Sequence, residues 1–254
     1  MLPRFHSGPA EAALPVEPVP TVFPVIEGAD IAAVFVGRRI AGDFYDSIRA
    51  SSERVLIGLL DVAGRRERTR TLLAAAQQIF RTTGLRLFSP ADINESDAMT
   101  ELCLHLNRRL IDVCRGAHSC PAFIACYHEK FGTLCYTNAG HTPGLLRDAT
   151  GITELAATGL PLGLFSHATC EAPTVGLAKH GSLLLVSRGV IECEGRGNGQ
   201  PVTFGPERVK HVLQSSPRAT ARSLCDSVLE AVAGFCGQSA LGDDRTALAL
   251  IRTD

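Results

Sequence analysis

Several features that would place a protein in a special class are missing from this sequence of 254 residues. No apolar run approaches the ~20 residues that a membrane-spanning helix needs, so no interaction with a membrane is predicted. The first residues contain neither the basic start nor the apolar stretch of a signal peptide. The formal net charge is −1, so there is no general basic field for nucleic acid. These absences predict a cytoplasmic protein that binds neither membrane nor nucleic acid.

The sequence also lacks paired cysteine motifs. Its nine cysteines are an odd number and include no C-x-x-C pair, which argues against a disulfide framework and against a zinc site. Most of them lie in apolar segments, where a free thiol behaves as a small hydrophobic side chain. Cys126 and Cys135 are predicted to face each other across a hairpin, and reduced thiols are expected.

What the sequence does contain is typical of one globular domain. Hydrophobic residues make up 45% of the chain and charged residues 20%, which are ordinary values. Residues 1–20 carry five prolines and predict an extended, flexible lead, because proline removes backbone donors and excludes helix. Residues 21–254 are predicted to form the single domain.

The order of apolar segments predicts an α+β fold. Strands are predicted at 31–36, 43–48, 55–62, 121–127, 133–137, 145–146, 152–155, 182–187 and 246–251. Helices are predicted at 65–84, with Gly84 as the stop, and at 97–114, 206–213 and 219–236. Strand pairs interrupted by adjacent helices favour two packed antiparallel sheets with helices outside them. The glycine-rich run 195–200 lacks the ending of a nucleotide loop and predicts a flexible loop.

Acidic residues stand where three of the predicted strands begin or end. Asp43 opens one strand, Asp61 ends an apolar strand, and Asp243 and Asp244 directly precede the last strand. A metal site for phosphate chemistry needs several carboxylate oxygens that converge from separate strand ends. Each of these residues alone is more typical of a turn or a helix cap, so the prediction depends on their neighbours.

Seven motifs in and around these positions follow one another along the chain. They are Ala41-Gly42-Asp43-Phe44-Tyr45-Asp46, Asp61-Val62-Ala63-Gly64, Thr137-Asn138-Ala139-Gly140-His141-Thr142-Pro143, Gly159-Leu160-Pro161-Leu162-Gly163, Leu183-Leu184-Leu185, Phe204-Gly205-Pro206-Glu207-Arg208 and Asp243-Asp244-Arg245-Thr246. Their order and spacing resemble the SpoIIE/RsbU-type phosphatases of the PPM (type 2C) family, from about Pro18 to the end of the chain. The resemblance implies an αββα sandwich that holds two Mn²⁺ or Mg²⁺ ions. In that family the metals activate a water that attacks phosphoserine or phosphothreonine directly.

The resemblance also implies roles for individual residues. Asp61 matches the carboxylate that bridges both metals and on which catalysis depends, and Val62 matches the backbone carbonyl ligand beside it. Asp43 matches the acidic position of the first strand near the second metal. Asp243 matches the last metal aspartate, with Asp244 as its neighbour.

Two departures from the family pattern concern this metal site. The family's Thr-Asp-Gly after the Leu-Leu-Leu strand is replaced here by Ser187, Arg188 and Gly189, so Arg188 stands at a ligand position. Arginine cannot coordinate a cation, because its guanidinium keeps its proton. The family's Gly-His-Gly is replaced by a glycine followed by Arg65 and Arg66 at a predicted helix start. Such arginines predict a phosphate-binding site or, equally, a solvated first turn.

Three functions therefore stay open at the level of the sequence. The first is a metal-dependent phosphatase, weakened by Arg188, that acts on a phosphorylated regulatory protein such as an anti-sigma factor antagonist. The second is a pseudophosphatase that binds such a partner without hydrolysing it, with Arg188 paired to Asp61 or Asp243 in place of a cation. The third is a structural or regulatory domain for a partner that binds elsewhere.

Overall fold

The computed structural model describes most of the predicted domain. It covers residues 17–37, 42–62, 66–114, 119–197, 200–216, 220–237 and 243–254, without the side chains of residues 66–68, 114 and 196–197. The first sixteen residues of the predicted lead therefore lie outside the described residues. At the end of the lead, the backbone N–H of Val19 donates to Gln77 Oε1 at 2.8 Å, and Gln77 Nε2 donates to the carbonyl of Val19 at 2.9 Å.

Two five-stranded sheets form the centre of the domain. The first sheet has the order β1 (Ala29–Val36), β12 (Arg245–Arg252), β9 (Ser182–Val186), β6 (Gly144–Arg147) and β7 (Ile152–Leu155). The second has the order β2 (Gly42–Arg49), β3 (Arg54–Val62), β4 (Ala122–His128), β5 (Thr133–Ala139) and β8 (Thr174–Gly176). A separate hairpin joins β10 (Glu194–Gly197) to β11 (Gln200–Thr203). All of these strand pairings are antiparallel.

Helices cover the outer face of each sheet. They are α1 (Arg66–Phe88), α2 (Glu95–Cys114), α3 (Arg188–Ile191), α4 (Gly205–Ser215) and α5 (Ala221–Cys236). One buried apolar cluster joins α1 and α2 to the second sheet, another joins α3, α4 and α5 to the first sheet, and a third lies between the two sheets. The predicted αββα sandwich is therefore confirmed. No helix in the described ranges combines the length and the apolar character needed to cross a membrane.

The central strands explain why the sequence reads as continuous apolar runs. All nine residues of β3 and all seven of β4 are buried, because each strand has the other sheet on one face and a helix on the other. Most strands of antiparallel sheets alternate apolar and polar residues, and these do not because neither face meets water. As a result, the carboxylate of Asp61 at the end of β3 is held at the edge of a dry core.

Three expectations about local structure are wrong. Gly84 does not stop α1, which continues to Phe88; a Cβ at this position would lie 2.6 Å from Leu56 Cδ1, so glycine allows the helix to approach β3. The glycine-rich run 195–200 contributes to β10 and β11 instead of forming a loop throughout. Cys193 and Cys236 form a disulfide across 43 residues, although reduced thiols were expected. Cys126 and Cys135 do lie opposite each other on β4 and β5 as free thiols, as predicted.

Candidate functional site

Strand ends from both sheets bring the candidate residues to one end of the sandwich. Asp43 near the start of β2 lies directly opposite Asp61 near the end of β3 in the strand register. From the first sheet, Thr246 of β12 donates its hydroxyl to Asp43 Oδ2 at 2.8 Å. Arg188, which follows β9 and begins α3, donates its backbone N–H to Asp61 Oδ2 at 2.7 Å. The site is therefore a junction between the two sheets.

The carboxyl of Asp43 is partly buried, and no ion pair to it is found within the described residues. Burial is the main cause that raises its pKa from 3.8 to about 7, and the nearby negative charges of Asp61 and Asp244 raise it further. Hydrogen bonds from the hydroxyls of Ser187 and Thr246 act in the opposite direction and lower it. Because burial is the largest of these effects, the raised pKa reflects mainly the loss of hydration at Asp43, with the two neighbouring carboxyls as smaller causes.

Asp61, by contrast, has a cation beside it. Its carboxylate is buried, accepts the backbone N–H of Arg188, and has the Nη2 atom of Arg188 at 3.9 Å from its Oδ1. The Nε atom of Arg188 also lies 3.6 Å from Glu192 Oε2. The side chain of Arg188 is 45% exposed. The pairing of Arg188 with Asp61, one of the two alternatives raised by the sequence, is thus the one found.

The remaining predicted residues differ in how the structure places them. Val62 is fully buried at the end of β3, and Asp244 is buried directly before β12. Asp243 is exposed. Arg65 lies outside the described residues; Arg66 begins α1, but its side chain is not among those described.

The loop that contains Asn138 and His141 is held together by its own hydrogen bonds. Asn138 Oδ1 accepts the backbone N–H of His141 at 2.8 Å, and Asn138 Nδ2 donates to the carbonyl of Leu155 at 3.2 Å. The His141 ring has its Nδ1 3.1 Å from the carbonyl oxygen of Thr142. Burial lowers the pKa of His141, which favours a neutral ring. These contacts fix the shape of the loop, so Asn138 and His141 have a structural role here.

Sequence reasoning did not assign roles to three residues that shape the site. Ser187 accepts the backbone N–H of Thr246 on its Oγ at 3.0 Å, so the two hydroxyl residues that face Asp43 are also linked to each other. A Cβ on Gly189 would overlap the carbonyl oxygen of Asp244, so only glycine lets α3 lie this close to the start of β12. The sequence does contain a signal that could have identified Thr246 as a site residue. It lies two residues after Asp244, and alternate residues of a strand share a face.

The described residues do not fit the two-metal centre that the family resemblance implies. Within those residues, no group of three or more His, Cys, Asp or Glu side chains is arranged to hold a metal ion. Asp43 and Asp61 supply two carboxylates, but the guanidinium of Arg188 already lies beside Asp61. A fixed positive charge at this distance opposes a divalent cation at the same carboxylate. No reaction step through a metal is therefore derived for this chain.

The fold and the position of the site define a class of protein. Two antiparallel sheets flanked by helices, with carboxylates where the sheets meet, form the fold of the PPM serine/threonine phosphatases. Residues 51–253 match the family model described as Stage II sporulation protein E (SpoIIE). The chain belongs to this family, in the SpoIIE/RsbU branch.

Individual relatives agree with this assignment. The chain is 27% identical over 154 residues to the phosphoserine phosphatase RsbP of Bacillus subtilis, which covers 60% of this chain and 37% of RsbP. It therefore spans little more than a third of that relative. The SiaA PP2C domain of Pseudomonas aeruginosa matches with a TM-score of 0.74 and 18% identity, over 88% of this chain and 85% of that domain. A Mycobacterium tuberculosis structure with RsbU and RsbW domains matches with a TM-score of 0.68 and 25% identity, over 91% of this chain and 63% of that structure.

Proposed function

We propose that this chain is a phosphoprotein-binding member of the SpoIIE family in which Arg188 suppresses metal-dependent hydrolysis. Its ligand is a phosphoserine or phosphothreonine of a regulatory protein, of the kind represented by an anti-sigma factor antagonist. The substrate class is supported by the family and by the similarity to RsbP, a phosphoserine phosphatase. The loss of hydrolysis is supported above all by one contact, between the guanidinium of Arg188 and the buried carboxylate of Asp61.

The charge at Asp61 is the physical basis of the proposal. By the family resemblance, a metal-binding aspartate stands where this chain has Arg188, so the site loses one negative charge and gains one positive charge. Two unit charges about 4 Å apart interact by about 4 kcal/mol when the effective dielectric constant is near 20. Solvent reduces this value at Arg188, because its side chain is 45% exposed. Even a quarter of the combined effect weakens divalent binding by more than ~10-fold.

Phosphate recognition in this proposal does not need a metal. The amino-terminal end of α1 is rich in arginine, with Arg65, Arg66, Arg68 and Arg70 in sequence. A helix N-terminus and arginine side chains both favour phosphate, through free N–H groups and through bidentate hydrogen bonds. Arg70 is 46% exposed and lines a cleft beside Asp43, so it is available to a ligand.

A second candidate function, a working metal-dependent phosphatase, is favoured by one observation at Asp43. Its carboxyl is buried among like charges, and a bound Mn²⁺ or Mg²⁺ ion would relieve that repulsion. Asp43, Asp61, Asp243 and Asp244, the acidic positions named by the resemblance, are all present. The two functions differ in whether the unaltered protein turns over a phosphate ester with a divalent ion.

The test compares the natural protein with Arg188→Asp. Binding of a phosphoserine peptide is measured in EDTA, and hydrolysis of that peptide is measured with Mn²⁺. We expect the natural protein to bind without turnover, and Arg188→Asp to bind Mn²⁺ at least ~10-fold more tightly and to hydrolyse the peptide. Arg222→Asp is the matched control, because Arg222 forms an i,i+4 ion pair with Asp226 on α5, as Arg188 does with Glu192.

Each result separates the candidates. Turnover by the natural protein that EDTA abolishes would show that the second candidate is right and that Arg188 does not prevent catalysis. A natural protein that neither binds nor hydrolyses the peptide would contradict both candidates. A gain of Mn²⁺ affinity in Arg222→Asp equal to that in Arg188→Asp would assign the effect to net charge and not to the site.

A further inference from the structure

A cleft of about 250 Å³ opens beside Asp43. It lies between residues 18–21, strands β1 and β2, and the beginning of α1, which contribute its lining. Pockets for whole small-molecule ligands are usually about 300–1,000 Å³, so this cleft is small for a cofactor and suits one long side chain.

The lining combines apolar walls with two carboxylates. Phe35, Phe44 and Leu73 supply apolar surface, and Asp43 and Asp244 lie along the same cleft. Lysine and arginine have a matching construction, because an apolar stem carries a charged head. An aromatic wall adds further attraction for a cation when the ring face is within reach. The carboxylates and the apolar walls therefore favour a basic side chain at the Asp43 end of the cleft.

One wall of the cleft is held in place before any ligand binds. The backbone of Val19 exchanges two hydrogen bonds with the side chain of Gln77, and the Thr21 hydroxyl donates to the carbonyl of Tyr45 at 2.7 Å. Gln77 and Arg81 also donate to the buried carboxylate of Asp46, which fixes this corner of α1 against β2. Because this wall is already ordered, ligand binding does not have to include the entropy cost of ordering it.

The rim of the cleft carries a charge of the opposite sign. Arg70 lines the cleft, is 46% exposed, and has its Nη1 3.9 Å from Glu17 Oε1, a loose pair between two exposed side chains. A ligand that brings a cation to Asp43 and Asp244 can therefore place an anionic group near Arg70. A phosphorylated residue with a basic neighbour in sequence has both groups on one short segment.

We propose that the cleft receives a lysine or arginine side chain of the bound protein, which is a neighbour in sequence of its phosphorylated residue. This inference rests on the proposed function. The cleft then determines which phosphorylated sequences bind, while the arginine-rich start of α1 recognises the phosphate. The same carboxylates that the family resemblance assigns to metals are, in this chain, used for an organic cation.

The first experiment examines the cleft without any phosphate. N-acetyl-arginine amide and N-acetyl-citrulline amide have the same shape but differ in charge, and each is titrated into the isotope-labelled full chain in EDTA, followed by NMR. We expect the arginine amide to bind at least ~10-fold more tightly, with shifts at the residues that line the cleft. Asp43→Asn should remove this preference, and Leu73→Phe, which fills the cleft, should weaken both ligands. Asp112→Asn, an exposed position on α2, is the matched control and should change nothing.

The second experiment uses phosphoserine peptides that carry arginine at one position within three residues of the phosphoserine, each paired with its citrulline twin. We expect at least one arginine peptide to bind at least ~5-fold more tightly than its twin, and Asp43→Asn to remove that difference. Peptides that bind with no difference within any pair would overturn the inference and leave the proposed function intact. If the arginine amide enters the cleft while no peptide binds, the proposed function fails and the preference for a phosphorylated partner fails with it. Equal binding of the two amides would overturn the cleft as a cation site.

Discussion

Asp43 and Asp61 face each other across one pair of strands, yet their surroundings differ. Asp43 is contacted by two hydroxyl groups, from Ser187 and Thr246, and its pKa is raised to about 7. Asp61 accepts a backbone N–H from Arg188 and has the guanidinium of the same residue nearby. Neutral hydroxyls stabilise a buried carboxylate less than a cation does. Within the part of the chain that the structure describes, Arg188 therefore compensates Asp61, and no cation is paired with Asp43.

This difference explains why the choice between the two candidate functions depends on one residue, Arg188. A divalent ion near both carboxylates would compensate both at once. Arg188 reaches only Asp61 among the described carboxylates of β2 and β3, so the negative charge that remains is at Asp43, on the side of the cleft. We propose that the bound partner brings a cation to Asp43 through this cleft.

We expect the largest change in the free energy of unfolding from Asp43→Asn in the metal-free protein. The carboxyl of Asp43 ionises near pH 3.8 in the unfolded chain and near pH 7 in the folded one, so the folded state keeps a proton that the unfolded state loses. Stability should therefore fall as the pH rises from about 4 to about 7 and stay level above that range. The shift from 3.8 to about 7 corresponds to about 4 kcal/mol on an order-of-magnitude basis, because one pKa unit equals about 1.4 kcal/mol. Asp43→Asn should remove this loss, as measured by urea unfolding at several pH values in EDTA.

Asp112→Asn is the control for this measurement, since Asp112 is an exposed carboxylate on α2. Its stability should follow the natural protein at every pH. If the natural protein and Asp43→Asn show the same dependence between pH 4 and pH 7, Asp43 does not carry the uncompensated charge, and the contrast with Asp61 is wrong.

A smaller effect is expected from Thr246→Val, which keeps the side-chain shape but removes the donor to Asp43. Loss of a hydrogen bond to a buried charged group costs about 1.5–3 kcal/mol, and less when the group is neutral. We therefore expect the larger destabilisation at pH 8, where Asp43 is ionised, and the smaller one at pH 5. Thr82→Val is the matched control, because Thr82 is exposed and its hydroxyl donates to the carbonyl of Gln78 on the same helix. An equal loss at both pH values would mean that Thr246 acts by packing and not through the charge of Asp43.

The sequence predicts more of this fold than of its site, for a physical reason. Strand and helix positions depend on local periodicity, and the buried strands β3 and β4 are visible as apolar runs. The decisive contacts of the site join residues far apart in the chain: 127 residues separate Arg188 from Asp61, and 203 separate Thr246 from Asp43. The sequence motifs contain or adjoin these residues, but which of them contact each other depends on the packing of one sheet on the other. The disulfide between Cys193 and Cys236 was missed for the same reason.

The smallest effect is expected from Arg188→Met, and its small size is informative. The guanidinium is 45% exposed and lies 3.9 Å from Asp61, and an exposed ion pair of this kind contributes less than about 1 kcal/mol to folding. The backbone N–H that Asp61 accepts is kept in the variant, so the free energy of unfolding should change by less than that amount. Arg222→Met on α5 is the control, and both variants are compared by urea unfolding in EDTA. A loss above ~2 kcal/mol at Arg188 alone would make this residue a structural replacement for a metal, as in a buried ion pair. A small loss, together with a gain in Mn²⁺ affinity, would instead show that Arg188 controls the charge of the site without holding the fold together.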